Sequence, residues 1–205
     1  MFWEKELEEI ERKTLAALQV KRLNNTLRQA VTAPHYRKQA VFSRAAANGL
    51  KTIDAIRELP FTTKEDLRSD YPWGFLAADK RDVVRLHSSS GTTGNPTVIY
   101  HNRHDLGSWA NLMARSLFAA GVRDTDVFQN ICGYGLFTGG LGFQYGVEKL
   151  GCLSIPVGAG NFGDDGRFPA QVGVVSQQGC CAVGEDLLGC RQLPDRDGAH
   201  VCRTQ

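Results

Sequence analysis

The sequence lacks an excess of charge of either sign, because 24 lysines and arginines nearly balance 22 aspartates and glutamates and leave a formal net charge of +2. This balance gives no electrostatic reason to expect nucleic acid or an anionic membrane surface as a partner. No apolar run approaches the roughly 20 residues that span a bilayer. The acidic stretch Met1–Glu9 lacks the apolar core of a signal peptide. We therefore expect a cytoplasmic protein with no nucleic-acid partner and no membrane partner.

Cysteine pairs with zinc-ligand spacing are also missing. The chain has six cysteines, none of them in a Cys-x2-Cys pair, and the adjacent Cys180 and Cys181 have poor geometry for zinc. Beyond residue 179, four cysteines are found together with His200: Cys180, Cys181, Cys190 and Cys202. Zinc at this cluster stays an alternative to free thiols in a reducing compartment. We expect no metal-binding residues.

The first part of the chain has helical periodicity. Apolar residues recur at three- and four-residue steps over residues 2–31, which predicts one long amphipathic helix. Pro34 begins a second predicted helix that runs to about Ala47, and residues 52–59 predict a short one. Thr63, with Asp66 three residues later, predicts a capped helix start. We expect residues 1–80 to form an N-terminal helical segment.

Strands and helices alternate from residue 83 onward. Predicted strands cover 83–87, 97–100, 126–131 and 152–156, and predicted helices cover about 103–120 and the stretch that ends near Leu150. This order predicts an α/β fold with a mostly parallel sheet, in which residues 81–161 form part of a domain. Residues 162–205 contain no lysine and have poor apolar periodicity, so only one short strand, Val172–Val175, is predicted there.

A loop of hydroxyl groups and glycines separates the first two predicted strands. It contains Ser88, Ser89, Ser90, Gly91, Thr92, Thr93 and Gly94, and Asn95 and Pro96 follow it. The two glycines let backbone N–H groups turn toward an anion, and the hydroxyls add donors. The spacing differs from Gly-x4-Gly-Lys-Ser/Thr, the common nucleoside-triphosphate loop. Two interpretations of this loop therefore stay open: a phosphate-binding loop, and a plain turn, which is the usual role of such clusters.

A second glycine-rich loop, residues 133–140, follows a predicted strand and opens a helix. Ligands of open α/β sheets collect at the carboxyl ends of strands. Tyr134 and Phe137 are suited to wall an apolar pocket, and Gly135 allows a ligand to approach the backbone. A dinucleotide-binding Gly-x-Gly-x-x-Gly pattern fails, because position 138 is threonine. The alternative is a strand–helix turn whose aromatic residues belong to the core.

The order Ser-Ser-Gly-Thr-Thr-Gly-x-Pro resembles the phosphate loop of the adenylate-forming enzymes. The run Tyr-Gly-Leu-Phe-Thr-Gly-Gly-Leu-Gly, which begins at Tyr134, narrows the resemblance to the phenylacetate–coenzyme A ligase family. The segments Leu59–Arg68 and Glu148–Gly151 are also similar to that family. The resemblance covers about Phe2 to Asn161, which is the first third or so of a typical member.

The resemblance implies an incomplete N-terminal domain of an ATP-dependent ligase. Such a ligase joins an arylacetic acid such as phenylacetate to coenzyme A through an acyl-adenylate, and Mg²⁺ accompanies ATP. Residues Ser88 to Gly94 would hold the outer phosphates of ATP, with Thr92 and Thr93 in direct contact. Tyr134, Gly135 and Phe137 would line the acyl pocket. No catalytic residue is carried over, and a homodimer is left open for the full-length family.

The sequence departs from the family pattern at several points. Asn95 stands where a lysine is common, and Cys132 stands where an aromatic residue is common, which would widen the pocket. Beyond Asn161 no similarity is found, and the later segments of the family have no counterpart. We therefore expect a truncated and inactive gene product, poorly soluble or loosely packed, whose residues 162–205 form a divergent tail, disordered or from a shifted reading frame. The alternatives are a non-catalytic nucleotide-binding remnant and a partner of a separately encoded C-terminal half.

Overall fold

The computed structural model describes residues 2–89 and 96–158, together with the backbone of four strands between residues 172 and 202. The chain divides into two compact units, Met1–Arg103 and His104–Gln205. The first unit has helices and a hairpin: α1 (Lys5–Glu8), α2 (Arg12–Ala30), α3 (Pro34–Arg37), α4 (Ala40–Asn48), α5 (Lys64–Ser69), β1 (Arg85–Ser88) and β2 (Val98–His101). Short 3₁₀ helices lie at Ile53–Glu58 and Lys80–Asp82.

The predicted helix over residues 2–31 is interrupted, so that prediction is wrong in its continuity. Helix α1 ends at Glu8, and α2 begins after Glu11, whose backbone is extended (φ −61°, ψ 139°). The Glu11 carboxylate accepts a hydrogen bond of 2.9 Å from the Thr14 backbone N–H. Capping satisfies a donor at the helix start that a continuous helix would have paired internally. The charges around Glu11 therefore start a helix instead of continuing one.

The second predicted helix is also divided, into α3 and α4. The chain is extended at Gln39 (φ −105°, ψ 106°), and the Gln39 side chain lies 3.0 Å from Nε2 of His35. The start at Pro34 is confirmed, and the helix ends at Asn48, one residue beyond the predicted end near Ala47, before Gly49 with φ +70°. The predicted cap at Thr63 is confirmed as a complete capping box, in which Thr63 Oγ1 accepts from the Asp66 N–H and the Asp66 carboxylate accepts from the Thr63 N–H.

The core of the first unit lies where the helices meet. Helix α2 packs against α4 and against the 3₁₀ helix at Ile53–Glu58, and α3 also contacts α4. Leu27 and Phe42 are buried, and the Tyr36 ring meets Phe42 edge-on at 4.8 Å. The Asn24 side chain pairs with both backbone groups of Leu50, donating at 2.9 Å and accepting at 2.7 Å. This pair of bonds fastens the loop after α4 to α2.

The second unit contains the predicted parallel sheet. Its elements are α6 (Arg103–Ala119, beginning at the unit boundary), β3 (Val127–Asn130), α7 (Gly139–Leu150), β4 (Leu153–Ile155), β5 (Val172–Ser176), β6 (Gly179–Cys181), β7 (Gln192–Pro194) and β8 (His200–Cys202). The sheet order is β4-β3-β5-β6, with β3 parallel to both neighbours and β6 antiparallel to β5. Strands β7 and β8 form a separate antiparallel pair. The mostly parallel α/β sheet is thus confirmed.

Helix α7 covers the sheet on the side of β3 and β4. Phe128 on β3 and Val147 on α7 are almost completely buried, and so are Ala114 and Val122. Two glycines let α7 approach α6: a Cβ on Gly142 would lie 2.8 Å from the Trp109 ring, and one on Gly146 would lie 2.7 Å from Met113 Cβ. Any side chain at these two positions would therefore hold the two helices farther apart.

The region beyond residue 161 contains the predicted strand at Val172–Val175, which is confirmed as β5. Strands β6, β7 and β8 were not predicted. The side chains of this region, including those of Cys180, Cys181, Cys190, His200 and Cys202, lie outside the described residues, and so does the zinc alternative. Within the described part of the chain, no helix combines the length and apolar character needed to cross a membrane.

Candidate functional site

The loop proposed to hold phosphate is the connection of an antiparallel hairpin. Strands β1 and β2 pair with Ser88 opposite Val98 and His87 opposite Ile99. The predicted strand pair is therefore confirmed, although it forms its own two-stranded sheet apart from the parallel one. Ser88 and Ser89 are described, whereas Ser90, Gly91, Thr92, Thr93, Gly94 and Asn95 lie outside the described residues.

Ser89 and Thr97 close the base of this loop. The Ser89 N–H donates to the Thr97 carbonyl at 3.0 Å, and Ser89 Oγ accepts from the Thr97 N–H at 3.1 Å. Thr97 Oγ1 adds a third bond to Ser89 Oγ at 2.9 Å. Because Ser89 Oγ accepts two of these bonds, we infer that this side chain supports the base of the loop, while its own O–H proton can still be donated to an anion. Thr97 was not singled out in the sequence.

The prediction that this loop holds phosphate depends on the residue types between the two strands. Antiparallel pairing holds the two ends of the connection at a fixed separation, and the residues between them supply backbone N–H groups, hydroxyls and glycines. Neutral donors of this kind bind oxyanions without requiring a proton transfer. No lysine stands within the loop. Charge neutralisation would therefore depend on an accompanying cation or on groups elsewhere.

A cleft that the sequence did not predict lies next to the hairpin in the first unit. Its volume is about 300 Å³, and it is lined by Trp73, Lys80, Val83, Arg85, Leu86 and Tyr100. The Trp73 and Tyr100 rings stack with their centroids 5.0 Å apart, and Lys80 Nζ lies 3.9 Å from the Trp73 centroid. The Tyr100 hydroxyl donates to the Pro72 carbonyl at 2.8 Å, and burial raises the pKa of Tyr100. These contacts fasten β2 to the turn before the 3₁₀ helix at Lys80–Asp82.

The second loop follows β3 in the other unit and leads into α7. The Tyr134 hydroxyl accepts from Asn130 Nδ2 at 2.9 Å and donates to Gln144 Oε1 at 2.9 Å. Burial is the main cause that raises the pKa of Tyr134. The Tyr134 ring lies beside Gly158, whose φ of +73° suits glycine. The ring is thus held in a defined place.

The other two predicted acyl-site residues share this loop with Tyr134. Phe137 is 68% exposed, and its ring lies 3.6 Å from the position that a Cβ would take on Gly139. Open space surrounds the corresponding position on Gly135, as a close approach of a ligand to the backbone requires. Exposure at Phe137 and fixed hydroxyl bonds at Tyr134 disagree with the alternative that both aromatic residues are merely core. Their role in binding an acid stays a prediction.

Sequence reasoning missed the residue that organises this loop, Asn130. Its side chain is completely buried, and Nδ2 also donates to the Gly140 carbonyl at 2.7 Å. Its Oδ1 accepts from the Cys132 N–H at 3.2 Å, and its carbonyl accepts from the Gly158 N–H at 3.0 Å. A polar residue at the carboxyl end of the buried strand Val127–Asn130 was the available signal.

The two cysteines whose side chains are described, Cys132 and Cys152, are buried and form no disulfide. Cys132, at the position where the family commonly has an aromatic residue, is 4% exposed. Cys152 donates through Sγ to the Arg123 carbonyl at 3.1 Å, and burial raises its pKa. Among the described side chains, no group of three or more histidine, cysteine, aspartate or glutamate residues is placed to hold a metal ion.

Comparison with solved structures relates the fold to that of CoA ligases. A crystal structure of 2-hydroxyisobutyryl-CoA ligase, in complex with 2-HIB-AMP and CoA, superposes with a TM-score of 0.70 at 27% sequence identity, over 80% of this chain and 35% of that one. A second structure of that enzyme, with 2-HIB-AMP, gives a TM-score of 0.69 at 25% identity over the same shares. The fold is therefore part of the α/β domain of an adenylate-forming CoA ligase.

Comparison with curated proteins identifies a family within the adenylate-forming CoA ligases. The chain is 45% identical over 159 residues to a phenylacetate-coenzyme A ligase of Aromatoleum evansii, covering 76% of this chain and 36% of that protein. It is 46% identical over 143 residues to the Pseudomonas putida enzyme of the same name, with shares of 69% and 33%. No family model matches the chain. The chain thus matches an N-terminal portion of the phenylacetate–coenzyme A ligase family, as the resemblance predicted, and spans about a third of the length of these relatives.

Proposed function

We propose that this chain supplies the N-terminal part of an ATP-dependent ligase that activates an arylacetic acid such as phenylacetate for transfer to coenzyme A. The observation that carries the proposal is the identity of 45% to a phenylacetate-coenzyme A ligase over 76% of the chain. A match that covers 76% of a 205-residue chain must include both glycine-rich loops, at whichever residue the match begins. The structural relatives hold an acyl-AMP adduct and CoA, which supports the use of ATP and CoA in this reaction.

The two loops would divide the work of the first half-reaction. The hydroxyls and N–H groups of residues 88–94 would hold the outer phosphates of Mg²⁺-ATP and the departing pyrophosphate, where negative charge develops as the carboxylate attacks the α-phosphorus. Tyr134, Gly135 and Phe137 would line the site for the aryl group. In the second half-reaction the CoA thiol displaces AMP. With ATP and CoA as co-substrates, we place the reaction in the cytoplasm.

We further propose that the 205 residues alone bind nucleotide but have little ligase activity, because they span about 36% of a relative that performs the whole reaction. A chimera tests the family function directly. Residues 2–158 would replace the matched portion of the Aromatoleum evansii ligase, and phenylacetate-dependent exchange between ATP and pyrophosphate would be measured. We expect exchange to be present, and to fall at least about 100-fold with Gly91→Val, since removing phosphate stabilisation costs this much.

Thr26→Ala, which removes an exposed hydroxyl on α2, is the control and should leave exchange unchanged. Exchange that survives Gly91→Val would contradict the role of the loop. ATP binding by the chimera without exchange would favour the non-catalytic nucleotide-binding remnant. Exchange that appears only when the 205-residue chain is mixed with the missing portion of the relative would favour a partner of a separately encoded half.

A further inference from the structure

We propose that Asn130 and Gln144 are positioning residues that fix the Tyr134 ring as a rigid wall of the acyl site, and that the Tyr134 hydroxyl serves this anchoring and not a hydrogen bond to the substrate. The inference rests on the proposed function, because it assigns how one wall of that acyl site is built. Its two positioning residues, Asn130 and Gln144, lie outside the two loops that the sequence singled out.

Three structural elements converge on the network around this hydroxyl. Asn130 comes from the end of β3, Gln144 lies on α7, and Ser154 lies on β4. Ser154 Oγ donates to the same Gln144 Oε1 that accepts from Tyr134, at 2.9 Å in each case. The position of the ring is therefore set by both neighbouring strands and by the helix that covers them.

The directions of the hydrogen bonds in this network commit the hydroxyl proton of Tyr134 to Gln144. Gln144 Nε2 donates to Glu148 Oε1 at 2.6 Å, which orients the amide so that its oxygen faces Tyr134 and Ser154. Asn130 Nδ2 donates to the phenol oxygen, so the phenol can only donate onward, to Gln144. A substrate carboxylate would have to displace Gln144 to receive this proton.

Burial strengthens the anchoring at its Asn130 end, whereas the bond between Tyr134 and Gln144 is exposed to solvent. Asn130 has no exposed surface, and its amide satisfies the Gly140 carbonyl and the Cys132 N–H as well as Tyr134. Removing one partner leaves buried polar groups unsatisfied, which costs more than an ordinary hydrogen bond contributes. The loop therefore has a strong preference for the one arrangement that satisfies Asn130.

The variants Tyr134→Phe and Gln144→Met separate anchoring from substrate contact. Each removes one end of the same bond while keeping the size of the side chain. If the hydroxyl anchors the ring, both variants raise the KM for phenylacetate about 10-fold in the chimera, with kcat changed less than about threefold. The double variant adds little more, because the bond is already lost. We also expect the ratio of kcat/KM for phenylacetate to that for acetate to fall by a similar factor.

Gln19→Met, the same substitution at an exposed position on α2, is the control and should leave both constants unchanged. A loss in Tyr134→Phe with a silent Gln144→Met would overturn the proposal, because it would mean that the hydroxyl contacts the substrate. Additive losses would also overturn it.

A second measurement does not depend on activity. Hydrogen–deuterium exchange of residues 131–138 in the 205-residue chain should accelerate in Tyr134→Phe and in Gln144→Met, and not in Gln19→Met. If hydrogen–deuterium exchange accelerates but the chimera shows no ATP–pyrophosphate exchange with any acid, the proposed function is refuted and the network stands. An unchanged exchange rate in both variants would refute the network itself.

Discussion

Single polar side chains connect elements that the backbone alone leaves separate. Asn24 pairs with both backbone groups of Leu50, and His35 donates through Nδ1 to Asp70 at 2.8 Å while its ring stacks on Phe75 at 4.2 Å. Asn130 performs the same task in the second unit. Each of these residues is polar and partly or fully buried, so the fold is stable only if the hydrogen-bonding groups of that residue have partners.

The capping box at Thr63 gives a prediction at this scale. Thr63→Ala should lower the free energy of unfolding by about 1 kcal/mol, because the Asp66 N–H loses its acceptor. Thr52→Ala is the matched control, since Thr52 stands before the 3₁₀ helix at Ile53–Glu58 without a side-chain cap bond. Urea denaturation of both variants measures the difference. Equal losses would mean that the cap contributes nothing specific.

The same cap predicts a dependence on pH. Hydrogen bonds from the Thr63 hydroxyl and N–H lower the pKa of Asp66. A lowered pKa means that the stabilisation is present above the unfolded value of about 3.9 and is lost as pH falls through the lower, folded value. The difference in stability between the unsubstituted chain and Thr63→Ala should therefore shrink as pH falls below about 4. A difference that stays constant from pH 6 to pH 3 would contradict this assignment.

At the scale of elements, the contact between α6 and α7 depends on glycine. The Cβ of Gly146→Ala would meet Met113 Cβ at 2.7 Å and the Met113 backbone carbon at 3.2 Å. Neither of these atoms can rotate away, unlike the end of a flexible side chain. The clash therefore outweighs the gain of about 1 kcal/mol that alanine brings to a helix.

We expect Gly146→Ala to destabilise the chain by about 1–3 kcal/mol. Gly107→Ala, on α6, is the matched control, because nothing lies within 4 Å of its added Cβ. That variant should stabilise by about 0.5–1 kcal/mol. The two variants should therefore change the free energy of unfolding in opposite directions. A loss of stability in both would show that helix propensity alone does not describe these positions.

The sequence predicted most of these elements, and its errors have a common cause. Period and capping signals located α5, α6, α7 and β1 to β5 within a few residues. The errors at Glu11 and Gln39 arose because an apolar periodicity continues across a break: the Glu11 side chain caps α2, and the backbone is extended at Gln39 without a side-chain cap bond. Asn130 was missed for a similar reason: a buried amide at a strand end is ordinary in sequence, and only its four partners reveal its role.

At the scale of the whole molecule, the parallel sheet has an uncovered edge among the described residues. Strand β4 is the end strand next to β3, and Leu153 on it is 63% exposed. An exposed apolar edge strand offers unpaired N–H and C=O groups to other chains. This arrangement supports the prediction that the 205-residue chain is poorly soluble.

We therefore expect Leu153→Lys to reduce self-association, because charge at an edge strand opposes pairing between chains. Leu112→Lys is the control: Leu112 is 55% exposed but lies on helix α6, where no strand edge is available. Sedimentation at several concentrations measures both variants. An equal improvement in both would trace association to apolar surface in general. An unsubstituted chain that sediments as a monomer at every concentration would contradict the prediction of poor solubility.

The sequence by itself determined the class of fold, the positions of both loops and the resemblance to phenylacetate–coenzyme A ligases, because period, capping and motif order are local properties of the chain. Only the tertiary structure decided that β1 and β2 form a separate hairpin closed by Ser89 and Thr97, and that Tyr134 is tied to Asn130 and Gln144. These arrangements depend on which backbone and side-chain groups from different elements pair with one another, and no local pattern encodes that choice.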